Sequence, residues 1–205
     1  FMDIKDLKGK EIYTIGKGLT PDVMLQTILK ENNINPAKDL KINYLSGSNE
    51  LAPMYLAGKI KIAMVSEPVL SKIMSKDNKS KINFNMDNEW KKAFGINLGF
   101  PQSTLIASEN LIKEDPEFIA KFITELENSI EFIYGKSLNK EKYITESKVT
   151  IDMSILDEVI KRANINFVSA EDSKEAYKLY FEKIEKTNSK AIGGKIPDEK
   201  IFMSK

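Results

Sequence analysis

The sequence predicts an α/β fold in which one parallel βαβαβ lobe is followed by a mainly helical part. Three observations predict it. Short apolar runs over 12–15, 40–45 and 60–65 alternate with helix-spaced patterns over 20–32 and 50–57. Each run ends at a corner of glycine or small polar residues, and from about residue 105 the apolar spacing turns helical. Right-handed crossovers between successive strands then make the sheet parallel.

The elements come in order. Ile12, Tyr13 and Ile15 make the first strand, Gly16-Lys17-Gly18 its loop, and Thr20-Pro21-Asp22 the start of the first helix. Thr20 is the expected N-cap, Pro21 takes the first helical position, where its missing N–H costs nothing, and Asp22 complements the helix dipole. Asn32, Asn33 and Pro36 stop that helix. Leu40, Ile42 and Tyr44 share one face of a second strand, which ends at Ser46-Gly47-Ser48-Asn49. Leu51, Met54, Tyr55 and Ala57 lie at helical spacing before Gly58. Ile60 to Val65 is nearly all apolar, as expected of a third strand buried on both faces. Ser66-Glu67-Pro68 turns it into a helix carrying Val69, Leu70, Ile73 and Met74.

Beyond the polar segment 77–81, a short strand is expected over 82–86 and a short helix over 87–94. Trp90 and Phe94, one turn apart, suit a core more than a stacked ligand. Thr104 to Ala107 reads as a further strand. Ser108 or Asp115 caps the next helical stretch, and Phe118, Ile119, Phe122, Ile123, Leu126, Ile130 and Ile133 predict a long amphipathic helix over 116–134, stopped by Gly135. Helices are expected near 138–147, 152–162 and 171–186, and an irregular tail over 193–198.

Composition narrows the chemistry. The 205 residues are 41% hydrophobic and 30% charged, and 31 Lys+Arg against 30 Asp+Glu leave a net charge of +1, which argues against a nucleic-acid partner. No apolar run is long enough to span a bilayer, so the chain is expected to be soluble. It has no Cys and no His. Disulfides, thiol nucleophiles, Cys/His metal sites and an imidazole base are therefore excluded, and no metal or cofactor is expected. The chain begins with Phe, so it is expected to be processed or a piece of something longer.

In such a sheet the corners at 16–20, 46–49 and 66–68 gather along one edge, at the carboxyl ends of the strands, where open α/β folds bind small ligands. Backbone N–H groups at Gly18 to Thr20 and the positive end of the first helix favour an anion. Glycine loops that open helices also serve in most α/β domains merely to turn the chain. Glu67 has two open roles, capping the helix after it or meeting an amine or ring N–H of a ligand.

Several stretches together resemble a known family: Asp6-Leu7-Lys8-Gly9-Lys10-Glu11-Ile12, Gly16 to Asp22, Leu51 to Lys59, Ser66-Glu67-Pro68, Glu89-Trp90, Asp115-Pro116-Glu117 and Ile192 to Asp198. They are similar to the middle and C-terminal parts of ABC-transporter substrate-binding proteins with the periplasmic-binding-protein type II fold. The branch is that of nitrate, sulfonate, taurine and pyrimidine-precursor binders. The resemblance implies two α/β lobes that clamp a small polar or anionic solute and deliver it to a permease, without catalysis. Residues 5–102 correspond to the second lobe, and 103–205 to the return crossing and the helical C-terminal part of the first. The N-terminal part of the first lobe, an export signal and a lipid-anchoring Cys would lie outside this chain. Apolar surface meant for the absent sheet is then expected to be exposed, disordered or covered by another molecule, as in a dimer.

The resemblance also implies ligand contacts at Gly16, Lys17, Gly18, Leu19, Thr20, Ser66, Glu67, Gln102 and Ser103. It places the protein outside the cytoplasm, lipid-anchored in its parent form. An enzyme of the same fold, of the menaquinone- or pyrimidine-pathway kind, and a ligand-sensing regulatory domain are the alternatives.

Overall fold

Two strands at the centre of the first unit, β1 (Glu11–Ile15) and β2 (Lys41–Leu45), pair in parallel with Ile12 opposite Ile42 and Thr14 opposite Tyr44. They belong to a computed structural model that describes residues 3–135 and 139–203. The expected third strand runs beside β1 but bonds to it only around Tyr13. Tyr13 N–H donates to the Ile62 carbonyl at 3.0 Å and its carbonyl accepts from Met64 N–H at 2.8 Å, with Ala63 opposite Tyr13. β1 is thus central, with β2 on one side and 60–65 on the other. Only Ile60 of that run is buried and 62–65 are half-buried, because the run forms an edge of this small sheet. The expectation of a strand buried on both faces is corrected accordingly.

Both faces of the sheet are covered, as a parallel sheet requires. On one, Ile12 and the half-buried Ile42, Ile62 and Met64 meet α1 (Thr20–Glu31), α4 (Met86–Phe94) and α9 (Ala170–Asn188). Met24, Ile28, Leu29, Trp90 and Ile184 fill the core there. On the other, Ile15, Leu45, Ala63 and Val65 pack with Leu51 of α2 (Ser48–Leu56) and Ile73 of α3 (Val69–Lys76). Burying each of the larger aliphatic side chains stabilises the unit by about 1.5–3 kcal/mol.

Residues 82–86 form no strand. The Asn85 side chain accepts from Asn88 N–H at 3.1 Å and so starts α4 at Met86. Trp90 is a core residue, with its ring 4.3 Å from Phe94, 5.9 Å from Phe100 and 6.1 Å from Tyr180. α9 is fastened to α1 by a Thr27–Thr187 hydroxyl bond of 3.0 Å and a Lys183–Glu31 ion pair of 3.3 Å. Lys183 also lies over the Phe94 ring.

The chain divides into two packing units. One holds residues up to Gln102 together with those from Ser169 onward; the other runs from Ser103 to Val168. The two contiguous segments expected from the sequence, 5–102 and 103–205, are therefore not the two packing units, since α9 returns to the first.

The second unit is helical, with α5 (Glu109–Glu114), α6 (Pro116–Tyr134), α7 (Lys140–Glu146) and α8 (Leu156–Ala163). Both expected caps are used: Ser108 accepts from Leu111 N–H at the start of α5, and Asp115 from Phe118 N–H at the start of α6. Residue 138, the expected start of α7, lies outside the described residues. Thr104 to Ala107 is not a strand. It is extended and exposed, with Ile106 at 86%, because its apolar side chains find no sheet within this unit to join. α6 buries none of its residues, and Phe118 and Phe122 of its apolar stripe are exposed. Among the described residues no helix is long and apolar enough to cross a membrane.

Candidate functional site

At the carboxyl end of β1 the chain turns through Gly16 and Gly18, both with positive φ, 70° and 78°, which a β-carbon would strain. Leu19 N–H closes the turn on the Gly16 carbonyl at 2.9 Å. Thr20 is not the N-cap. Leu19 holds that position, and no side chain of its own caps it. The role passes to Asp22, whose Oδ2 accepts from Gly18 N–H at 2.7 Å, half of a capping box displaced by one residue. Because Thr20 is exposed and makes no capping bond, Thr20→Ala is expected to change stability by less than about 0.5 kcal/mol, read from urea midpoints.

Asp22 is 1% exposed, and it joins two corners. Its Oδ1 accepts from the Tyr44 hydroxyl at 2.7 Å and from Gln26 Nε2 at 2.9 Å. Burial, then the bond to Asp22 and its charge, pushes the Tyr44 phenol well above its ordinary range. The Lys17 ammonium lies over the Tyr44 ring, 5.4 Å from its centre. The loop after β1 is thereby tied to the end of β2.

The second corner is built the same way, and the third the other way round, with its acid in the corner and the donor in the helix. Glu50 accepts from Ser46 N–H at 2.9 Å and from the Ser46 hydroxyl at 2.6 Å, bonds that hold its carboxyl below the usual carboxylate range. Glu67 accepts from Ser71 N–H at 3.1 Å and from its hydroxyl at 3.0 Å. Of its two open roles, the helix-capping one is made here. The backbone N–H expected to greet an anion at Gly18 is likewise already bonded to a carboxylate of the chain itself.

The parallel register brings Gly16, Lys17, Gly18, Leu19, Thr20, Ser66 and Glu67 to one edge of the sheet, along with the 46–49 corner. Lys17, Gly18, Leu19, Thr20 and Ser66 are exposed there. Gln102 closes the first packing unit and Ser103 opens the second, both exposed. Asp22, Tyr44 and Glu50 were not singled out as site residues from the sequence. The signal that points to two of them is an acid four residues after a corner donor, Asp22 after Gly18 and Glu50 after Ser46.

Two surface depressions lie elsewhere, at the amino ends of the strands. One of about 180 Å³ is lined by Asp3, Asn32, Asn83, Glu89 and Lys92. The other, about 290 Å³, runs along 9–11 and 38–41. Neither touches the corner residues. Among the described residues no group of His, Cys, Asp and Glu is arranged to hold a metal ion.

Comparison with known proteins adds the relationship. The model of the NMT1/THI5-like family matches residues 1–137. A crystal structure of an ABC transporter from Parabacteroides distasonis superposes with a TM-score of 0.76 at 24% identity, covering 95% of this chain and 66% of that one. The chain thus spans just under two thirds of that relative's length, and the α/β fold with its small parallel sheet is periplasmic-binding-protein-like. No curated protein matches the sequence.

Proposed function

Because this chain belongs to the NMT1/THI5-like family, we propose that it is the solute-binding part of an ABC import system, holding a small polar molecule and passing it to a membrane permease. The observation that carries this reading is the gathering of three polar corners at the carboxyl edge of one parallel sheet, in a chain with this family match and this fold. In the proposal, residues 5–102 form the second of two lobes, the chain returns to the first at 103, and α9 packs back onto the second. The solute lies against Gly16 to Thr20, Ser66, Glu67, Gln102 and Ser103, and closure of the lobes traps it.

The reading is non-catalytic. With neither His nor Cys in the sequence, an enzyme of this fold would have to draw its acid and base from Asp, Glu, Lys or Tyr, and the acids at the carboxyl edge hold backbone and side-chain donors. The proposed setting is extracytoplasmic, with the parent protein lipid-anchored. The exposed stripe of α6 with Phe118 and Phe122 supports burial against further protein, in this chain alone a second copy.

Native mass spectrometry after incubation with a pool of small metabolites tests the proposal. The expected result is one small molecule retained per chain and recovered chemically unchanged, and the same spectra read the expected dimer. Conversion of a pool component, with no retained complex, would overturn the reading.

A further inference from the structure

The depression of about 180 Å³ at the amino ends of the strands encloses a carboxylate that the solute reading does not use. Glu89, in the first turn of α4, is 8% exposed, and a carboxylate so buried is costly unless its oxygens are met. Oε1 is met by the Lys92 ammonium at 2.8 Å. Oε2 has no hydrogen-bond partner among the described residues, yet it is not sealed in the interior, where the Trp90 indole N–H alone is left unbonded. It therefore opens into the depression that Glu89 lines.

The other polar walls have the same character. Asn32 turns its amide nitrogen to the Ile28 carbonyl at 2.9 Å and Asn83 to the Lys81 carbonyl at 3.4 Å, which leaves the oxygen of each amide as an acceptor. Asp3 gives one oxygen to the Lys5 N–H at 2.8 Å and keeps the other. Lys92 is the single cation on this lining, against two carboxylates. Its side chain is 73% exposed and held by one oxygen only, so a better donor can displace it. The bond to Glu89, then the Glu89 charge and that of Asp3, raise Lys92 above the ordinary lysine range, so both acids act on the same spot.

We infer that this depression is a binding site for a small organic cation with several N–H donors, of the guanidinium or amidinium kind, which takes the Glu89 carboxylate in place of Lys92. A planar N–H fork engages both oxygens of a carboxylate, where Lys92 engages one. Its remaining N–H groups suit the free oxygens of Asp3, Asn32 and Asn83, and Phe84 adds an apolar wall for its flat face. The site shares no residue with the three corners, so its occupancy does not depend on what they bind.

The probe is methylguanidinium chloride, kept at millimolar concentrations that do not denature, with tetramethylammonium chloride as a cation of equal charge and no N–H. The readout is the side-chain amide resonances of Asn32 and Asn83 in the isotope-labelled chain. A saturable shift of both is expected with methylguanidinium and none with tetramethylammonium. Glu89→Gln, which keeps the volume, is expected to weaken binding at least about tenfold. Lys92→Met removes the competing ammonium and is expected to tighten it by about two- to fivefold. An equal response to both cations, no saturable response, or a folded Glu89→Gln that binds as tightly as the wild type overturns the inference. Should Glu89→Gln fail to fold, Asp3→Asn keeps a capping oxygen and removes a charge from the rim; binding is then expected to weaken about threefold, and no loss overturns the inference. A chain that retains no metabolite would count against the solute-binding reading while leaving the methylguanidinium result standing.

Discussion

Trp90→Ala is expected to destabilise the first unit by about 3–5 kcal/mol. Trp90 is fully enclosed and meets Phe94, Phe100 and Tyr180, so its loss opens a cavity between α4, α9 and the loop at Phe100. Those three rings sit on three separate segments, which limits how far the site can collapse. The buried indole N–H has no hydrogen-bond partner among the described residues. Trp90→Phe therefore forfeits volume but no hydrogen bond, and is expected to cost well under half as much. Far-UV circular dichroism during urea unfolding is the appropriate probe, since Trp90 is the only tryptophan and fluorescence would vanish with it. Equal costs for Ala and Phe would show that volume is not what the site demands.

Asp22→Ala is expected to cost about 2–4 kcal/mol, because it strips the Gly18 N–H, the Gln26 amide and the Tyr44 hydroxyl of one shared acceptor. Gly18 is exposed and can turn to water; the half-buried Tyr44 hydroxyl does so less readily. Asp22→Asn, which keeps an acceptor, is expected to lose about half as much. Alkaline pH supplies an independent check. The Tyr44 phenol is raised above its ordinary value of 10.0 in the folded chain, first by burial and then by Asp22, so the folded state holds this proton more tightly. Its contribution is fully present below pH 10 and is lost as the pH rises through the folded value. In Asp22→Ala the ultraviolet titration of Tyr44 is expected to move down towards the ordinary range without reaching it, because burial remains.

Much of this fold was legible because its signals are local. Alternation at Ile12 to Ile15 and at Leu40 to Leu45, and the helical spacing from Phe118 to Ile133, each found the element they predict. Where the reading failed, the deciding partner lay elsewhere in the chain or outside it. Thr104-Leu105-Ile106-Ala107 has strand-forming side chains, but a strand exists only by pairing, and this packing unit offers no sheet. Thr20 and Asp22 are both helix-start residues separated only by Pro21, and local preference does not choose between them. In the fold Asp22 has a partner beyond its own helix, the Tyr44 hydroxyl reaching across from β2 to its carboxylate. The corners themselves were readable from Gly16, Gly18 and Ser46. That their donors are held by acids of the chain was not, because an acid in the first turn of a helix looks the same whether it faces water or bends back to a loop.

The return of α9 to α1 also bears on the order in which the protein is made. Thr187 and Lys183 complete the surface against which Thr27 and Glu31 pack, yet they leave the ribosome only after the whole of 103–168 has been translated. At roughly 5–20 residues per second the earlier strands and helices wait some seconds for the helix that covers them. During that interval Ile28, Leu29 and Trp90 lack Ile184 as a neighbour, and a nascent chain halted before residue 170 would carry an open core.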